Sequence, residues 1–141
     1  MMPLQEMSDR LEIQDLLARY SFAIDDHDWD VLDEVFTSDA HIDYTAAGGI
    51  KGAYPEIKAW LASVLPLFVL TQHLTATTAL DLAGDTARAR TILFNPMVSR
   101  DDAGAEHVMF VGLRYRDELV RTTAGWRIAR RVEEKGYMTS V

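Results

Sequence analysis

The sequence predicts an α+β fold: helices first, then a curved, mostly antiparallel sheet. Apolar residues recur at helical intervals as far as Val64, whereas from Val69 onward they alternate along four long segments separated by turn residues. Pro66 marks the change of period. Ile13, Leu16, Leu17, Tyr20 and Ile24 form one stripe, and Asp9 followed by Glu12 has capping-box spacing, so a first helix is expected from Asp9 to about Asp25. Asp28 suits the N-cap of a second, shorter helix with Trp29, Leu32, Val35 and Phe36 as its apolar positions. Ala40, Ile42 and Tyr44 alternate with polar residues in a short strand ending at Gly48-Gly49. Pro55 suits the first turn of a third helix carrying Ile57, Trp60, Leu61 and Val64 on one face.

Long strands are expected at Val69–Leu80, Thr86–Met97, Glu106–Val120 and Trp126–Met138. Strands of this length twist and curl, and three helices laid across the concave face leave a conical roll with an open mouth. Such a cone encloses a pocket.

Composition narrows the function. A chain of 141 residues, 48% hydrophobic and 26% charged, makes one globular domain over residues 1–141. A net charge of -8 disfavours a phosphate backbone, so nucleic acid is not an expected partner. Without cysteine there are no thiolate metal sites, and the four histidines show no ligand spacing, so no metal is expected. A phosphate-binding glycine loop and a nucleophile elbow are both missing, and no cofactor is implied. Trp60–Leu70 is about half the length of a membrane span and is interrupted by Pro66, so no membrane association is expected. Met1–Arg10 lacks a basic segment followed by an apolar one, which makes the cytoplasm the expected location.

Asp25 lies near the end of the first helix, where the macrodipole disfavours a carboxylate and raises its pKa. It is either a solvated acid beside the caps of the next helix or a group that holds a partner's proton or orients an imidazole. His73, in Thr71-Gln72-His73-Leu74-Thr75, shares a strand face with Thr71, Thr75 and Thr77, while Leu74, Ala76 and Leu80 fall on the other. It is either a satisfied surface polar group or a base. Tyr20 and Tyr44 are core residues or hydrogen-bond donors to a substrate oxygen. Unbroken alternation puts Arg130 on the inner face with Trp126 and Ile128, and a bulge would exchange it for Arg131.

Ile24-Asp25, Asp28-Trp29-Asp30, His41-Ile42-Asp43-Tyr44, Thr71-Gln72-His73 and Gly125-Trp126-Arg127-Ile128 occur in an order that resembles the SnoaL-like group of the nuclear transport factor 2-like superfamily. The resemblance covers nearly the whole chain and is nearest in pattern to scytalone dehydratase, bile acid 7-alpha-dehydratase and hexachlorocyclohexane dehydrochlorinase. It implies the cystatin-like conical fold and cofactor-free lyase chemistry in which an Asp at the end of the first helix pairs with a His on the first long strand. Asp25 and His73 match those positions. The spacing of Tyr20 and Asp25 resembles the bile acid enzyme, and Tyr44 matches a pocket tyrosine of scytalone dehydratase. That enzyme's second histidine is replaced by Leu113, which argues against scytalone as substrate.

The implied function is a cofactor-independent lyase or isomerase acting on a small apolar cyclic molecule. In that reading His73 is the base, Asp25 its partner, Tyr20 or Tyr44 the donor to substrate oxygen, and Arg130, Trp29, Trp60 and Leu113 substrate-binding residues. The alternative is a non-catalytic ligand-binding protein or an accessory subunit like the beta subunits of dioxygenases. A homo-oligomer, dimer or trimer, is implied for either.

Overall fold

The computed structural model describes residues Met1–Val141. Helix α1 spans Leu4–Asp26 and buries Ile13, Leu16, Leu17, Tyr20 and Ile24 along the expected stripe. It starts five residues before Asp9, with Pro3 in extended conformation as its N-cap. Asp9 therefore caps nothing. It is buried inside the helix, where its carboxylate takes two hydrogen bonds from Arg121 (2.6 and 2.8 Å) and one from the Trp126 indole (3.1 Å).

The C-terminus of α1 closes in a Schellman turn: the Asp28 N–H reaches the Ala23 carbonyl (2.9 Å) and the His27 N–H the Ile24 carbonyl (3.3 Å). His27 occupies the left-handed position (φ 58°) usually given to glycine, and its ring stacks on Trp29 at 5.3 Å. The second helix is a 3-10 segment, Trp29–Glu34, and Asp28 makes no side-chain cap bond to it. Strand β1 (Phe36–Asp43) buries Ala40 and Ile42, with Tyr44 immediately beyond its end. β2 (Lys51–Ala53) leads into α2 (Tyr54–Val64), which carries Pro55 in its first turn as expected.

The first expected long strand is two strands, β3 (Leu70–Thr71) and β4 (Leu74–Ala83), both antiparallel to β5 (Thr86–Arg100). The break at Gln72-His73 lies opposite Asn95-Pro96. Pro96 has no N–H to give this neighbour and contributes only its carbonyl, which accepts from the Gln72 N–H at 3.1 Å. A second irregularity at Thr77 (φ 47°) shifts the register between Ala76 and Thr78. Leu80 is consequently not on the outer face with Leu74 and Ala76 but packs inward against the core.

β6 (Glu106–Thr122) and β7 (Gly125–Ser140) complete one curved seven-stranded sheet in the order β2-β1-β7-β6-β5-β3, with β4 also on β5. All pairs are antiparallel except β1 with β7. Register shifts at Glu118/Leu119 and Gly112/Leu113 bend the two longest strands. At the second of these, a Cβ on Gly136 would collide with the Gly112 carbonyl, so glycine permits the bend. The helical segments and the concave sheet enclose one core.

Candidate active site

A cavity of about 160 Å³ opens between α2 and the concave sheet. Fifteen of its 19 lining residues are hydrophobic, so an apolar guest is favoured. Trp60 and Leu113 are among its walls, and its polar side chains are His73, Asn95 and Glu133 with the phenols of Tyr20, Tyr44 and Tyr115.

His73 stands in the wall between this cavity and an outer cleft that contains Asp25. The strand break at Gln72-His73 frees the backbone N–H of His73 to reach Asp25 Oδ2 at 2.9 Å, while ring Nδ1 lies 2.7 Å from Oδ1. Thr71 adds a hydroxyl donor to Oδ1 at 2.9 Å. Burial is the largest influence on the Asp25 carboxyl and pushes its pKa up, but the hydrogen bonds and charge of His73, with Thr71, outweigh it and hold the group below the usual carboxylate range. The upward shift expected from the helix dipole does not prevail. An ionised Asp25 fixes Nδ1 as the protonated nitrogen, which makes Nε2 an acceptor for the Asn95 amide N–H. Nε2 lies 3.2 Å from the amide nitrogen of Asn95, whose Oδ1 is buried without a partner.

Tyr20 and Tyr44 share a hydrogen bond of 2.6 Å, so the question of which phenol serves the pocket becomes a question about a pair. Burial raises the pKa of both, above all Tyr44, so both keep their protons. One O–H is used between them, and the other is left to donate.

Two of the expected binding residues lie elsewhere. The register shift at Glu118/Leu119 leaves Ala129 unpaired and reverses the alternation, so Arg130 is exposed opposite Glu118. Arg131 turns inward instead, yet it does not line the cavity. It is fully buried beneath it, bonded to Asp117 at 2.7 and 2.9 Å and lying 4.3 and 3.9 Å from the ring centres of Tyr20 and Tyr115. Trp29 packs on the outside of the core because its indole stacks on His27 at the turn after α1.

Asn95 and Glu133 are site residues that sequence reasoning missed. Asparagine within an apolar strand is disfavoured, and that was the available signal for Asn95. Glu133 follows from the bulge: once Arg131 faces inward, alternation brings Glu133 with it. Its Oε1 is buried with no hydrogen-bond partner.

A curved antiparallel sheet covered by N-terminal helices, with an apolar cavity reached by a few polar side chains, defines the cystatin-like rolls of the nuclear transport factor 2-like class. Within that class, the SnoaL-like domain model matches residues 5–132, and the chain belongs to the SnoaL-like family. An uncharacterized protein of Mycobacterium tuberculosis is 53% identical over 137 residues, covering 97% of this chain and 92% of its own. Among solved structures, a hexachlorocyclohexane dehydrochlorinase, LinA type 2, superposes with a TM-score of 0.85 at 20% identity, covering 98% of this chain and 92% of that one. An NTF2-like protein with a cystatin-like fold from Novosphingobium aromaticivorans has a TM-score of 0.69 at 26% identity over 94% of this chain and 84% of its own.

Proposed function

We propose that the protein is a cofactor-independent lyase or isomerase that removes a proton from a small, largely apolar cyclic substrate. The observation that carries this reading is the 2.7 Å contact between Asp25 and His73 Nδ1, with Nε2 beside Asn95, a residue of the cavity wall. His73 Nε2 takes the proton, Asp25 fixes the tautomer and stabilises the imidazolium, and the Tyr20–Tyr44 pair donates its remaining O–H to the oxygen on which charge develops. The dehydrochlorinase with the same fold agrees with an elimination. A cavity of about 160 Å³ lies below the range typical of sites for drug-sized ligands and favours a substrate of one ring.

One observation favours a second reading, a ligand carrier without chemistry: Nε2 already has the Asn95 amide as a neighbour. Turnover of cyclic hydroxy-ketones separates the two. Wild type should convert at least one, with a loss of roughly 10²–10⁴-fold in His73→Ala and a loss in Asp25→Ala. Binding without conversion, or equal conversion by all three proteins, would remove the dyad from the mechanism.

A further inference from the structure

The elimination reading uses His73, Asp25 and the tyrosine pair but leaves Glu133 unexplained. This carboxyl lines the same cavity as His73, with strands β6 and β5 between them along the concave sheet. Oε1 is sealed from solvent and bonded to nothing. A carboxylate left in such a place would be an unpaired buried charge, which costs far more than the neutral carboxylic acid. Of the charged groups around it, Asp43 disfavours ionisation and Arg131 favours it. Tyr20 from α1, Tyr44 beyond β1 and Tyr115 on β6 are neutral phenols, and Asp43 adds a like charge. The one nearby cation, Arg131, is already bound by Asp117. Burial, opposed by the Ala47 N–H and Arg131, pushes the Glu133 carboxyl up to about 8.

We propose that Glu133 is the proton donor to a leaving hydroxyl, which makes the substrate a cyclic β-hydroxy carbonyl compound that loses water rather than halide. The inference rests on the elimination reading above and narrows it. Halide needs no proton to depart but gains from a cation, and no lysine or arginine lines the cavity. Hydroxide is a poor leaving group that departs readily only as water, and an acid poised near neutrality supplies the proton. In the step, His73 Nε2 takes the proton α to the carbonyl and the C–H electron pair becomes the new C=C bond. The β C–O bond breaks as its oxygen takes the Glu133 proton, and water leaves. His73 ends protonated and Glu133 ionised, and once the product leaves and water enters the cavity the proton on His73 is lost and Glu133 regains one.

Two measurements test this on the intact protein. Difference infrared spectra of wild type against Glu133→Gln should show the carbonyl band of a protonated carboxyl at neutral pH that disappears as pH rises through about 8. Absence of that band at neutral pH overturns the proposal. A β-hydroxy cyclic ketone and its β-chloro counterpart then serve as probes. Glu133→Gln should lower the ratio of hydroxyl to chloride elimination by about 100-fold, whereas His73→Ala should lower both rates together. An unmoved ratio in Glu133→Gln, with His73→Ala impaired, overturns the role of Glu133 and leaves the dyad standing. Equal rates in wild type and His73→Ala remove the elimination reading itself.

Discussion

Both carboxylate oxygens of Asp25 are committed to His73 and its neighbour Thr71, through one ring nitrogen, one backbone N–H and one hydroxyl. Three donors on a partly buried acid make the charged form the stable one. This ties the Asp25–His73 pair to folding. Because the folded pKa is depressed, the stabilisation is present above the unfolded carboxylate pKa and is lost as pH falls through the folded value. Asp25→Asn should therefore lower stability by about 1–3 kcal/mol at neutral pH, with the deficit shrinking in acid, as urea unfolding at a series of pH values would measure. A deficit independent of pH would contradict an ionised Asp25.

At the level of elements, two departures from a regular strand set the site. Pro96 interrupts the ladder to β3 and β4, so that the Gln72-His73 pair leaves the strand and the His73 N–H turns to Asp25. Four residues beyond His73, Thr77 holds a left-handed backbone and reverses the alternation, which sends Leu80 inward. A β-branched residue is strained there, so Thr77→Gly should raise stability by about 1 kcal/mol with no change in the far-ultraviolet spectrum. Loss of stability would mean that the threonine side chain is needed at the bulge. The periods of the helices and of the last three strands were legible in the sequence because burial imposes them on every turn. The bulges were not, because one extra residue changes no composition and yet moves every following side chain to the opposite face. Arg130 and Arg131 exchanged places for that reason, and Glu133 went unseen with them.

Across the whole molecule, the buried Arg131–Asp117 pair joins β7 to β6 beneath Tyr20 and Tyr115 and supports the floor of the site. Its Nη1 has no partner, so the pair contributes less than its geometry implies. Asp117→Ala, which strands a buried guanidinium, should cost about 3–5 kcal/mol in chemical denaturation, whereas Arg131→Met combined with Asp117→Leu should be near neutral. If the double variant proved as unstable as the single one, the charges themselves would be required. Asp9 has a parallel role at the other end, where Arg121 foremost, with Trp126 and Gln5, holds its carboxyl well below the usual range and fastens α1 to the last two strands. No helix is long and apolar enough to cross a membrane.

The sequence by itself determined the order of helices and strands, the α+β class and the apolar stripe that carries Tyr20, since each depends on local periodicity and on which residues water rejects. Only the tertiary structure decided that Asp25 meets His73 across 48 residues of chain, that Tyr20 and Tyr44 are hydrogen-bonded to each other, and that Arg131 rather than Arg130 lies inside. Contacts between distant segments depend on bulges, a proline-induced break and the curl of the sheet, and these set where a side chain points without leaving a period in the sequence.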